Sequence, residues 1–159
     1  MRQRETLNRR EQIQLTPEEQ ARFLQEQQKC ALATLDTNGF PHMVAMNYAA
    51  RDGVIYMTSY GKAQKVVNVR RNPKVGVMVE AGKRYAELRG VMIRGYCEII
   101  DDPQQVEAIA HMVAARPGGP EGAMRPTALN PEVLKKRVIM KVTPEKIATW
   151  DHSKLGGKY

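Results

Sequence analysis

Residues 30–58 read CALATLDTNGFPHMVAMNYAARDGVIYMT, and this stretch decides the fold class. Cys30 to Asp36 is short and rich in apolar residues, as a half-buried strand is. Asn38-Gly39 follows as a two-residue hairpin signal, because both positions of such a turn favour positive φ. Pro41 to Ala50 reads as a second strand, Asp52-Gly53 as a second hairpin turn, and Val54 to Thr58 as a third strand. The expectation is an antiparallel meander of three strands.

Downstream of the meander the period changes. Gly61 to Arg71 carries Val66, Val67 and Val69 among basic residues and ends at Asn72-Pro73, a helix stop. Lys74 to Glu80 is a strand of the buried type. Ala86 to Ile100 reads as one bent strand or two. Asp101-Asp102-Pro103 opens a helix to about Ala115, with Val106, Ile109, Ala110 and Val113 at helical spacing. Arg116 to Gly122 is a loop, Asn130-Pro131-Glu132 starts a short helix, and Arg137 to Val142 is a last strand. From Trp150 to Tyr159 no regular pattern is visible. Upstream, Thr16-Pro17-Glu18-Glu19 is a helix start with a capping-box pattern, and the helix runs to about Gln28. Residues 1–14 are polar and aperiodic and read as a flexible tail, which leaves 15–159 as a single domain. Six or so strands with few, short helices predict a mainly β chain with peripheral helices, closed as a small antiparallel barrel.

The composition agrees with a globular chain. Of 159 residues, 42% are hydrophobic and 26% charged, enough apolar surface to offset the entropy of ordering. No apolar stretch approaches the ~18 residues of a membrane span. The polar start resembles no secretory signal, so a cytoplasmic location is expected. Cys30 and Cys97 have no CxxC spacing and read as small buried residues rather than disulfide or zinc ligands. Three histidines, His42, His111 and His152, form no metal-binding pattern. Neither GxGxxG nor GxxxxGK[ST] is present, and no nucleophile–base pair can be read from spacing.

The charge is uneven. The net charge is +8, and between Gly61 and Arg94 nine basic residues face only Glu80 and Glu87. Such a field favours a phosphorylated or polyanionic partner. Within it, Ile55 to Pro73 is the informative segment: a strand ends in Thr58 and Ser59, and a glycine loop leads to a helix whose start holds Lys62 and Lys65. Hydroxyls, the amides of a helix start and lysines together make an anion site. The competing reading of the same residues is the solvated basic face of a surface helix.

The order of the pieces resembles the pyridoxamine-5′-phosphate-oxidase-like family of FMN-binding split barrels, and especially its branch that uses the deazaflavin coenzyme F420. The matching pieces are Leu32 to His42, Ile55 to Thr58, Lys65-Val-Val-Asn68 with Arg71-Asn-Pro73, and Gly90-x-x-x-x-Gly95-x-Cys-Glu98 with Asp101-Asp102-Pro103. The resemblance implies a six-stranded antiparallel split β-barrel that assembles as a homodimer, with cofactor sites at the subunit interface. It implies that Lys65, helped by Lys62 and Gln64, holds the cofactor phosphate, and that Thr58 and Ser59 line the phosphate or the ribityl chain. It implies that Met43, Val44, Ala45 and Met46 run along the ring, offering backbone groups, that Asn68 braces the loop, and that Trp150 reaches across to the partner's ring. One departure stands out: the oxidase pattern has Ser-Arg-Lys where this chain has Ala63-Gln64-Lys65. That difference favours F420 over FMN. The implied activity is hydride transfer from the deazaflavin ring to a small unsaturated or conjugated acceptor, with no dedicated catalytic dyad. Tyr48, Tyr60 and His42 are the candidate proton donors. The alternatives are an FMN-dependent oxidase or reductase, a carrier that binds cofactor without turnover, and a nucleic-acid-binding barrel. Against the last stands an aromatic content of 6%, too few rings to stack bases.

Overall fold

The computed structural model describes residues 8–115 and 130–157. The Arg116–Gly122 loop and the last two residues of the chain lie outside them. One seven-stranded sheet dominates, all of its pairings antiparallel, in the order β2-β1-β5-β6-β7-β4-β3. The strands are β1 (Lys29–Leu35), β2 (Pro41–Asn47), β3 (Ala49–Arg51), β4 (Val54–Tyr60), β5 (Lys74–Ala81), β6 (Arg89–Ile100) and β7 (Arg137–Asp151). The helices are α1 (Arg9–Gln12), α2 (Pro17–Glu26), α3 (Gln64–Arg71), α4 (Pro103–Ala114) and α5 (Pro131–Leu134).

The expected three-strand meander is replaced by two separate hairpins. The strand read as Pro41 to Ala50 breaks at Tyr48, which raises the strand count from six to seven. Tyr48 is fully buried, and its hydroxyl donates to the Leu24 carbonyl at 2.8 Å. Burying that large ring against α2 turns the chain out of the β2 line and starts β3 in a new direction. β4 then pairs with β7 rather than with β2. The two ends of the sheet order, β2 and β3, are therefore joined by one residue but do not pair, so the sheet curls into a half-barrel rather than the closed barrel expected.

The two turns also differ from each other. Asp52 (φ 52°) and Gly53 (φ 77°) both take positive φ, as a two-residue type I′ turn requires. At the first turn only Gly39 does, at φ 83°. There the Asp36 carboxylate accepts from the backbone N–H of Asn38 at 2.8 Å and of Phe40 at 2.9 Å. Asp36 N–H in turn donates to the Phe40 carbonyl, which gives a three-residue loop closed by a side chain.

β7 is much longer than the expected Arg137–Val142. Pro144 looks like a terminator because it cannot donate to a ladder, but here it sits at an irregularity opposite Gly95, where the register of β6 and β7 shifts. A Cβ on Gly95 would lie 2.3 Å from the Thr143 carbonyl oxygen, so the close backbone approach at this bulge requires glycine. Ala86 to Ile100 resolves into a single bulged strand, β6, preceded by a short 3₁₀ turn at Tyr85–Glu87.

The barrel interior holds Leu32, Ile55, Met57, Val77, Val79, Val91, Ile93 and Met140, each buried to 1% exposure or less, packed with Phe23 and Leu24 of α2 and Val66 and Val69 of α3. α2 begins as expected, with Thr16 and Glu19 forming a reciprocal capping box. α4 covers the outside of β4 and β7, where Val106, Ala110 and Val113 are buried together with Ile139. Next to the chain's polar start, Ile13 and Leu15 hydrogen-bond to Asp151 and Thr149 at the end of β7.

Candidate functional site

The expected anion site lies where α3 begins. Ala63 is the N-cap and supplies no side-chain cap, so the leading N–H groups of the helix keep their donor capacity for another acceptor. Lys65 sits in that first turn and is half-buried. Burial, with the charge of Arg137 beside it, holds its ammonium below the usual lysine range. Lys62 is exposed on the approach. Gln64 donates to the Asn68 Oδ1 at 2.8 Å, and Asn68, fully buried, donates to the Thr34 hydroxyl on β1 at 3.0 Å. Asn68, expected to brace the loop, instead ties the helix start to β1.

Arg137 was not among the residues read from the sequence. It opens β7 opposite Tyr60, and its guanidinium carbon stands 4.0 Å from the centroid of the Tyr60 ring. Its Nε is buried and has no acceptor among the described residues. The carbonyl of Lys136 accepts from Gly61 N–H at 3.0 Å, which ties the glycine loop to the start of β7. Only the pairing of β4 with β7 brings Arg137 here, and no local spacing signals that pairing.

The other expected site residues divide between two faces. Met43 and Ala45 lie on the outer face of β2, Met43 at 63% exposure, whereas Met46 is buried in the core and Val44 packs against it. Thr58 and Ser59 are neighbours on one strand and so point to opposite faces. Ser59 is buried and its hydroxyl donates to the Tyr60 carbonyl, while Thr58 is half-buried and pairs with Ile139. Of the candidate proton donors, Tyr48 is withdrawn: it is sealed in the core and its hydroxyl is spent on Leu24. Tyr60 is half-exposed, and His42 has a buried Nδ1 with no partner among the described residues.

The outer face of the sheet forms a second feature. The register places Ala45, Ala31, Met78, Met92 and Ala148 in one row across five strands. Met43, Met78 and Met92 are all exposed there, a surface of small and flexible apolar side chains. A groove of about 390 Å³ runs along it between Lys29, Met43, Ala45, Met78 and Glu80, within the range of small-molecule sites but open on one side. At the edge of this face Trp150 lies flat over Gly90, where a Cβ would fall 2.3 Å from the indole. Trp150 is close to the far end of β7 from Arg137, as much as ~40 Å along an extended strand, so one chain does not bring it to Lys65.

Among the described residues no group of three or more His, Cys, Asp and Glu is arranged to hold a metal ion. Burial, and next the Glu98 charge, push the Cys97 thiol up to about 12, so it stays protonated and unreactive in neutral solution. Among the described residues no helix is long and apolar enough to cross a membrane.

Comparison with known proteins adds the lineage. The conserved hypothetical protein Rv2991 of Mycobacterium tuberculosis is 34% identical, with a TM-score of 0.82 over 96% of this chain and 95% of that one. A structure described as an F420 reductase is 28% identical, with a TM-score of 0.63 over 80% and 94%. A FAD-binding protein of Mesorhizobium loti, 22% identical with a TM-score of 0.63 over 85% and 94%, shares the fold. A comparison with curated proteins gives no significant match. The sequence model of pyridoxamine 5′-phosphate oxidase matches residues 16–151, which takes in the whole sheet and the start of α3, and the chain therefore belongs to that family of split barrels.

Proposed function

We propose that the protein is an oxidoreductase that binds coenzyme F420 and works with it on a small unsaturated or conjugated organic acceptor. The observation that carries this is Lys65, half-buried at an uncapped helix start and without an acidic partner among the described residues. A desolvated ammonium in that setting favours a phosphate. The apolar row on the outer face suits a planar ring, and the similarity to an F420 reductase supports the deazaflavin over FMN. Bound there, the deazaflavin would supply a two-electron hydride chemistry that no side chain of the chain offers.

The residues have correspondingly simple tasks. Lys65, Lys62 and the α3 amides would hold the phosphate, with Gln64 kept in place by Asn68. The β2 backbone from Met43 to Met46 would run along the ring, with the side chains of Met43 and Ala45 against it. Thr58 would line the ribityl chain. The groove is open on one side, and a second copy of the chain would close it, exclude water and bring Trp150 to the partner's ring. On this reading residues 15–159 act as one cofactor-binding unit in a cytoplasmic homodimer.

The test is a paired fluorescence titration with F420 and with FMN, on the wild type and on Lys65→Ala. The expected result is F420 bound more tightly than FMN, and a loss of roughly tenfold or more in Lys65→Ala, the size of one charge-assisted hydrogen bond. Tighter binding of FMN would replace the deazaflavin with a flavin. Binding of neither would overturn the reading.

A further inference from the structure

We propose that Arg137 is the second cation of the anion site: its guanidinium and the Lys65 ammonium grip one phosphoryl group between them. The inference rests on the reading of Lys65 as a phosphate ligand and adds to it a residue from the other side of the barrel.

The first argument is charge bookkeeping around the site. Arg70 pairs with Asp101, Lys135 with Glu132, and Lys141 with Glu98. Lys65 and Arg137 form no ion pair among the described residues, yet the pairing of Tyr60 with Arg137 and the hydrogen bond from Gly61 to Lys136 set the start of α3 beside the start of β7, and the charge of Arg137 helps to lower the Lys65 ammonium. Two like charges held near each other and partly withdrawn from water repel, and an anion between them relieves that repulsion.

The second argument is the orphan donor. Arg137 Nε is buried and unpartnered among the described residues, and a buried donor without an acceptor is destabilising. Stacking on Tyr60 fixes the plane of the guanidinium, so Nε and its neighbouring amino group keep one direction. A planar fork of that kind matches two oxygens of a phosphoryl group, which a flexible lysine does not. The Gly61–Lys136 hydrogen bond makes the glycine loop and the strand start one unit, so both cations are positioned before a ligand arrives.

The experiment compares wild type, Arg137→Gln, Arg137→Lys and Lys65→Gln, with Lys141→Gln as a control that removes an equal charge elsewhere. Calorimetric titrations with FMN and F420 are run beside thermal-shift measurements with inorganic pyrophosphate. The expected result is a loss of roughly tenfold or more for Arg137→Gln with whichever cofactor the wild type holds, a smaller loss for Arg137→Lys, and a change under about twofold for Lys141→Gln. In the ligand-free protein, Arg137→Gln should also move the Lys65 titration upward in NMR, because the like charge has gone. If a cofactor binds the wild type and folded Arg137→Gln equally well, the clamp is wrong while the cofactor reading stands. If neither cofactor binds but pyrophosphate stabilises the wild type and not Arg137→Gln, the clamp stands and the cofactor reading fails. If Arg137→Gln does not fold, Arg137→Lys decides: affinity equal to the wild type overturns the role of Nε. No response to any of the three ligands overturns the clamp.

Discussion

Cys97 shows how a single side chain can be read correctly from sequence and still carry information only the fold supplies. Its spacing excludes a metal or disulfide role, but its titration depends on a buried position beside Glu98. The native state keeps the thiol protonated up to about 12, whereas the unfolded chain ionises near the ordinary value of 9. The resulting stability is complete below the unfolded value and is lost as pH rises from there to the native one. Lys65 has the opposite sign: its lowered native value makes stability rise with pH toward the ordinary lysine range. Comparing Cys97→Ala with the wild type cancels that term. Urea unfolding at about pH 7 and about pH 10.5 should show the wild type losing more stability than Cys97→Ala over the interval. Parallel losses would mean the thiol is accessible. The place of Lys65 at a helix start was legible in the same way, from a local pattern of hydroxyls, glycine and lysine. Arg137 was not, because its neighbours Tyr60 and Lys65 are more than sixty residues away in sequence and nothing local marks it.

Among elements, α3 is the one on which the site depends. It is short, and its place on the barrel end comes from Val66 and Val69 in the core, from Arg71 donating to the Leu35 carbonyl, and from the Gln64–Asn68–Thr34 chain of hydrogen bonds. Within that chain of hydrogen bonds Asn68 links the helix to the strand. Asn68→Ala should cost about 1–3 kcal/mol in urea unfolding, the cost of leaving buried polar partners unmet, and should weaken cofactor affinity because the first turn loses its brace. A change below about 0.5 kcal/mol, the level of an ordinary surface substitution, would show that the network is not structural. The elements were legible where local chemistry governs them: the capped start of α2, the Asp52-Gly53 turn, and the stop of α3 at Asn72. They were misread where a tertiary contact overrides the local signal. Tyr48 breaks a strand because its ring has a place against α2, and Pro144 fails to end β7 because Gly95 across the ladder lets the chain pass.

At the level of the whole molecule, the exposed row of methionines and alanines argues for assembly. A contiguous apolar face of this kind is a place for another surface to cover, and the proposed dimer would bury it. Light scattering should give about twice the 18.0 kDa of one chain, and Met78→Glu, which places a charge in the middle of the row, should shift the protein to monomer and abolish cofactor binding together. A wild type that stays monomeric at micromolar concentration would remove the shared site from the reading. A curled antiparallel sheet was legible in outline from the density of strands and turns, but its full closure was not borne out, since β2 and β3 end the order without pairing. The strand order was not legible, since it depends on long-range pairings. That order has a consequence for synthesis. β4 has one neighbour close by in sequence, β3, and its other neighbour, β7, is the last strand to be made. While the chain emerges, β4 and β6 each present a bare edge until Arg137 to Asp151 has left the ribosome and fills the gap between them. A nascent chain of this protein is therefore most exposed to edge-to-edge aggregation just before its final strand appears.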